Sequence, residues 1–447
     1  QRGDCPETRS RAGSGDAAAF LAGALEPPAP AAVAAAIATL REIGALERGT
    51  RKGSERKKAP NASSFFSSET RETLDASDLD GGGSLTPLGH HLASLPVDCR
   101  VAKMLVYGAL LSCVSPTLTV AACLSYKSPF LDARSGDDGD AARRALAKPS
   151  AGGVAAGEQS DHLTYAEAYA RWAAATCEAE RVGGAAAARD VSRRHARKNG
   201  LSLETLRQIA EMRGQYAALL RDAGFLTERE EKKNGDGARR VADARPFGWA
   251  DDPRASWNAE ANSAPVAKAV LAAGLYANVA ALDDDSSGLD ANDGAKKTDV
   301  ARWRDAKGAL GVHASSVNAK LAGGFGRGLG GSGRAVGPAH PFLTFHEKVK
   351  THRVFARDCT VVAPAALLLF GGDVEAKRET GRVCLDGWLW LRASAQTAAL
   401  FRRARAALDA ALARRIAGAG RRTGGHGEEG NGGDEVVLAV RALLNDA

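Results

Sequence analysis

LTPLGHHLASLPVDCRVAKMLVYGALLSCVSPTLTVAACLSYKSPF, residues 85–130, is the longest run of the chain without a low-complexity interruption. Its punctuation reads as three helices. Thr86 suits a cap and Pro87 a first helical position, so a short helix starts there with Leu88, Leu92 and Leu95 on one face. Pro96 stops it. Asp98 is placed to cap a second helix from Cys99 to about Cys113, with Val101, Leu105 and Ala109 at helical spacing. Ser115-Pro116 opens a third, Pro116 to Ser125, apolar nearly all round, which predicts burial. Three closely spaced helices with an apolar centre predict the nucleus of an α-helical domain.

The same stretch resembles the helicase-associated region of DEAH/DExH-box RNA helicases. Leu85, Thr86, Pro87, Gly89, Leu95, Pro96, Asp98, Arg100, Lys103, Met104, Gly108, Cys113, Pro116 and Ser128-Pro129-Phe130 fall on that family's pattern. Outward from it, Phe20 to Glu26 with Pro27, Pro28 and Pro30, then Ser160-Asp161-His162-Leu163-Thr164-Tyr165 to Trp172, are similar to further family segments. So are Ala264 to Ala280, with Ala277 where Pro is usual, and Gly311 to Asn318, with Ala314 where Pro is usual. FLTFHEKVKTHRVFARDCTVVAPAALLLFGG, residues 342–372, resembles the family's C-terminal oligonucleotide/oligosaccharide-binding (OB) fold, His352 replacing the common Ser.

The resemblance implies a multidomain α+β chain: a winged helix, an α-helical ratchet bundle, then a small β-barrel (the OB fold). Residues 1–19, with Pro6-Glu7-Thr8-Arg9, take the place of the end of a second RecA-like motor lobe. The winged helix covers 20–95, with 48–84 a disordered insertion; the bundle covers 96–280, with insertions at 132–157 and 227–263. The OB fold covers 300–420, with a Gly-rich loop at 322–338, and 421–447 is a fraying tail.

The residues support much of this on their own. Val33, Ile37 and Leu40 form one stripe of a helix from Ala31 to Ile43, ended by Gly44. Ser202 caps a long helix over 201–226, whose stripe includes Leu203, Leu206, Ile209, Met212, Tyr216 and Leu220. In the family this ratchet helix contacts the RNA backbone, which makes Arg207 and Arg213 candidates, although both need not face one way. Short β-rich runs at 342–346, 353–355, 359–362 and 366–370 are separated by turn residues. A closing helix is expected from Thr397 to Ile416.

The motor is missing from these 447 residues: neither a G-x-x-x-x-G-K-[ST] phosphate loop nor a DEAH-type box occurs. The chain as written is therefore expected not to hydrolyse ATP, and to need no cofactor, while ATP and Mg2+ belong to a full-length parent enzyme. Gly326, Gly328 and Gly331 spell G-x-G-x-x-G without the strand and helix a dinucleotide site needs. Asp78-Leu79-Asp80-Gly81 lacks the anchoring carboxylates of a calcium loop, and Asn61-Ala62-Ser63 is a chance sequon.

What remains is binding chemistry. The formal charge is +7, and residues 341–420 hold 13 Lys and Arg against 7 Asp and Glu, which favours a polyanion there. His346, Lys348, Lys350, Thr351 and Arg353 surround one strand and its turn, where cationic side chains can pair with phosphates or stay solvated. His313, Ser315, Ser316 and Asn318 either face RNA or cap a turn. Asp161-His162 reads as a cap and a buried hydrogen bond. Seven scattered cysteines without zinc spacing read as reduced thiols of an intracellular protein, and no apolar run reaches a membrane span of about 20 residues.

The expected function is the RNA-binding C-terminal part of an ATP-dependent RNA helicase, gripping single-stranded RNA during 3′–5′ translocation. Its partners would be that RNA, the RecA-like lobes and, as in some relatives, an activator protein. The competing reading is a stand-alone, non-enzymatic RNA-binding scaffold.

Overall fold

The structure, a computed structural model, describes residues 17–47, 84–131, 143, 145, 158–226, 249–283, 301–321, 337–351, 353–377, 379–419 and 431–446. Most of the expected insertions, the bulk of the Gly-rich loop and residues 1–16 lie outside them. The chain divides into two compact units, Gln1–His90 and His91–Ala447.

In the first unit, α1 (Ala17–Ala22) precedes α2 (Pro30–Ile43), which begins on Pro30 and buries Val33, Ile37 and Ile43. Gly44, at φ 84°, turns the chain out of the helix through the left-handed region that favours glycine. Leu46 then bridges antiparallel to Leu85. Thr86 donates to Gly44 O at 2.6 Å and accepts the Gly89 N–H at 3.0 Å, so it both caps α3 (Pro87–Ala93) and ties it to the end of α2. Gly89 sits against the Ala45 carbonyl where a Cβ has no room.

The second unit begins with the helical bundle. Asp98 caps α4 (Cys99–Leu110), accepting from the Arg100 N–H at 2.9 Å. Next comes α5 (Val114–Ser125), whose all-round apolar surface is covered by α4, by α6 (Asp161–Lys198) and by α7 (Leu203–Asp222). Ser160, not Asp161, caps α6, and Ser202 caps α7. Gly184, at φ 70°, breaks α6. Trp172 Nε1 donates to Ser192 Oγ at 2.9 Å, whereas twenty residues of straight helix would hold the two about 30 Å apart, so the chain reverses at that glycine.

Residues 249–263 are not filler. Two short 3-10 turns there carry Asn258, whose Oδ1 accepts the Ser115 N–H at 2.9 Å, and Asp251, which accepts from Ser115 Oγ at 2.6 Å. These polar groups satisfy the start of α5, and charge composition alone hid them. Then α8 (Ala264–Leu275) packs along α4, where Gly274 meets Met104.

The barrel starts earlier than residue 300, because α8 stops at Leu275 and β1 (Val279–Leu282) follows at once. With β2 (Trp303–Asp305), β3 (Gly308–Val312), β4 (Phe342–Lys350) and β5 (Val354–Val362) it closes in the order β1-β2-β3-β5-β4. β3 and β5 run parallel; the other pairs are antiparallel. Trp303, Leu310, Leu343, Phe345, Ala356, Cys359 and Val361 fill it.

Two expectations fail beyond β5. The run 366–370 is helix, α9 (Pro364–Phe370), because Pro364 starts it and its apolar residues are buried on all sides, a pattern that alternation cannot separate from a buried strand. The stretch to 420 is not barrel either: β6 (Val374–Lys377), β7 (Arg382–Leu385) and β8 (Leu389–Arg392) form a separate antiparallel sheet backed by α10 (Ala395–Ala419). Nor is the tail free. Asn431–Asn445 is a helix, α11, that packs on α10 and α8, burying Val437, Val440 and Leu444.

A Cβ at Gly274 would stand 2.7 Å from Met104 Cβ and 3.1 Å from Arg100 O, both anchored to α4. Gly274→Ala should therefore destabilise the chain by about 1–3 kcal/mol through overpacking, although alanine favours a helix by about 1 kcal/mol over glycine. Urea unfolding measures the sign; a stabilised variant would contradict this packing.

Candidate nucleic-acid interface

The bundle meets the barrel through the first turn of α6. Asp161, fully buried, accepts Ser316 Oγ–H at 2.6 Å, the Val317 N–H at 2.8 Å and the Cys359 N–H at 2.8 Å. Burial pushes its carboxyl up to about 6, against the opposing pull of the Arg143 guanidinium and these three donors. Beside it, His162 Nδ1 and Ser160 Oγ each lie 2.7 Å from Thr360 Oγ1. Burial pulls the His162 ring down to about 4, so it is neutral at pH 7. One turn on, Tyr165 donates to Asp358, a residue held at φ 52° in β5.

Arg143 strengthens the same junction from within a stretch expected to be insertion. Its guanidinium lies over the rings of Phe130 and Tyr165 and donates to Ser315 O at 2.6 Å and to Ser128 Oγ at 3.1 Å. The SPF segment at 128–130 is thereby fastened to the turn after β3. No sequence signal marked Arg143, because its surroundings are Ala- and charge-rich.

This architecture sorts the expected site residues. Ser316 and Asn318 are internal: Ser316 serves Asp161, and Asn318 Nδ2 donates to Cys359 O at 3.0 Å. The turn-building reading fits them, and they do not present a face to a ligand. Ser315 and His313 stay at the rim, half-buried, with His313 Nδ1 2.8 Å from Ser315 Oγ. Arg213 is corrected more sharply. It is 3% exposed, ion-paired with Asp251, donating to Thr119 Oγ1 and to Ser115 O at 2.7 Å, and stacked on Tyr169. Of the two candidates on α7, Arg207 is the exposed one.

The β4–β5 hairpin splits likewise. Its first half, Phe342–Phe345, lies in the barrel; the second half projects, closed by the Thr351 N–H donating to Arg353 O at 2.9 Å. His346 is half-buried and its carbonyl accepts from Asn278. Lys348, itself exposed, is ion-paired with the more buried Asp305. Burial acts to raise the Asp305 carboxyl, but Lys348 and the Lys307 N–H together hold it below the usual carboxylate range. Lys350, Thr351 and Arg353 are exposed. The Lys348–Asp305 pair also brings the β2–β3 turn beside the hairpin, adding exposed Lys307, which the sequence reading missed although Asp305-Ala306-Lys307-Gly308 is a local turn signal.

Among the described residues no group of three or more His, Cys, Asp and Glu is placed to hold a metal ion, and no helix is long and apolar enough to cross a membrane.

Three family models match the chain: helicase-associated domain (HA2), ratchet-like, over 98–165; an OB-fold over 267–374; and a C-terminal domain in RNA helicases over 381–446. The OB-fold match ends at the first residue of β6, and the C-terminal match begins just before β7. Similar proteins include the DExH-box ATP-dependent RNA helicase DExH4, chloroplastic, of Arabidopsis thaliana, 33% identical over 90% of this chain and 24% of its own length. The ATP-dependent DNA/RNA helicase DHX36 of Homo sapiens is 31% identical over 77% of this chain and 29% of its own length. The ATP-dependent RNA helicase DHX29 of Homo sapiens is 29% identical over 89% of this chain and 23% of its own. The chain thus spans less than a third of the length of these relatives.

Asp161→Ala leaves three donors, two of them buried, without their acceptor and should lower stability by about 3 kcal/mol or more. The two neighbours titrate in opposite directions. His162, with its folded value lowered, contributes stability that is complete above pH 6.5 and lost as pH falls toward 4; Asp161, with its value raised, contributes stability present below 3.8 and lost as pH rises through 6. The stability gap between the native chain and His162→Gln should therefore shrink as pH falls from 7 to 4.5, measured by urea unfolding. A gap independent of pH would show that the ring titrates as it does in the unfolded chain.

Proposed function

This chain carries the helicase-associated, OB-fold and C-terminal domains of the DEAH/DExH-box RNA helicases, and from that premise we propose that it grips single-stranded RNA during ATP-driven 3′–5′ translocation. The observation that carries the reading is the exposed cationic end of the barrel. Lys350 and Arg353 on the β4–β5 hairpin and Lys307 on the neighbouring turn project from a platform that the Asp161 junction fixes to the bundle. Cations at such a site bind phosphates without reading sequence, as a strand in transit requires. His313, Ser315, Thr351 and half-buried His346 supply hydrogen-bonding groups along the same edge, and Arg207 extends the basic surface on α7.

Lys348, Ser316, Asn318 and Arg213 act in this proposal by holding those residues in position. In this proposal residues 20–95 form the family's winged helix, a reading supported by α2, the Leu46–Leu85 bridge and α3. Translocation itself requires RecA-like lobes that bind ATP and Mg2+; an activator protein and an intracellular setting belong to the same proposal for the parent enzyme.

Anisotropy titration with a single-stranded RNA of about ten nucleotides tests this reading. Lys350→Gln combined with Arg353→Gln should weaken binding about tenfold at low salt and reduce the slope of log affinity against log salt by about 1.4. Lys348→Ala, which frees Asp305, should instead lower the unfolding midpoint. Unchanged affinity and slope in the double variant would return the hairpin to a merely solvated surface.

A further inference from the structure

The β6–β7–β8 sheet lies apart from the barrel and has two very different faces. Its inner face is apolar: Val374, Leu385 and Leu389 form one cross-strand row and Ala376, Val383 and Leu391 the next; the leucines and Val383 are buried, and α10 packs against β6 and β7. Its outer face has no such cover among the described elements. There Lys377 pairs in register with Arg382, and Arg382 with Arg392, so three cations stand side by side across three strands. All three are exposed, and none has an ion pair among the described residues. Like charges directly opposite one another disfavour the sheet, so the row is at its best when an anion lies across it.

The adjoining row is Glu375, Cys384 and Trp390. Cys384 is buried, Glu375 is the one acid on this face among the described residues of the three strands, and Trp390 is 40% exposed with its ring 4.7 Å from Lys377 Nζ. An exposed indole beside a line of cations is unusual for a surface that meets only water. Strands about 4.8 Å apart set the three cations along a line of about 10 Å. That arrangement offers phosphate contacts along one row and a stacking ring beside them, the two things a single strand needs and an acidic peptide does not.

We propose that the outer face of β6–β7–β8 is a second contact for single-stranded nucleic acid, distinct from the barrel hairpin. Phosphates lie along Lys377, Arg382 and Arg392, and one base stacks on Trp390, where Lys377 now rests. Recognition is of backbone and π-face, without sequence reading.

The test uses the full chain in the Lys350→Gln/Arg353→Gln background, so that failure of the hairpin reading and failure of this one remain distinguishable. A labelled oligouridine of about twelve nucleotides is titrated by anisotropy. Adding Lys377→Gln, Arg382→Gln and Arg392→Gln should reduce the salt slope by a further 2 or about that, at ~0.7 per phosphate contact. Trp390→Ala alone should weaken binding between about fivefold and a hundredfold. In the unmutated chain, ultraviolet crosslinking of a 5-bromouridine strand should label peptides within 374–392, which needs no variant to fold. Unchanged affinity and slope, or crosslinks that all fall elsewhere, would overturn the proposal. So would poly-glutamate binding that the triple change abolishes while oligouridine binding persists, since the face would then belong to an acidic protein partner.

Discussion

The carboxylate of Asp161 accepts three hydrogen bonds, one from Ser316 and Val317 N–H and Cys359 N–H for the others, and every one of these donors belongs to the barrel. Asp161 itself is the first residue of the bundle's longest helix. A buried acid in this position is costly to desolvate, and the cost is offset only while all three donors keep their geometry. The junction is therefore an all-or-none contact: the helix start and the two barrel segments hold one arrangement or lose it together. Thr360, shared by Ser160 and His162, and the Tyr165–Asp358 bond extend that contact along β5.

A rigid junction matters for the proposed hold on a moving strand. Phosphate contacts from lysine and arginine are weak singly and depend on several being presented together. The hairpin and the β2–β3 turn present theirs in common because Lys348 and Asp305 join them, and the rim residues Ser315 and His313 are steadied by Arg143. In each case a charged side chain is held in an internal contact that positions another residue.

The helices of 85–130 were legible because their caps and prolines are local signals. Thr86, Asp98 and Ser202 cap as their positions predict, and α5 is buried as its composition requires. The strand expected at 366–370 was not legible, since a short apolar run buried on all sides has no alternation to read. The site was only half visible. Sequence locates Lys350 and Arg353 on a turn, but that Lys348 is ion-paired and Arg213 buried depends on Asp305 and Asp251, 43 and 38 residues away in the chain. Long-range partners of this kind leave no spacing pattern. The cross-strand row of Lys377, Arg382 and Arg392 is likewise invisible until the register of three strands is known.

Native-state hydrogen exchange at Val317 and Cys359 tests the junction most directly, because those two amides donate to Asp161. In the unmutated chain they should exchange as slowly as the amides of the barrel core. In Asp161→Asn, both should lose protection together with the amide of Leu163 at the start of α6, as one cooperative unit. Loss confined to one amide, or α6 opening while both barrel amides stay protected, would contradict the claim that bundle and barrel are held by a single shared contact.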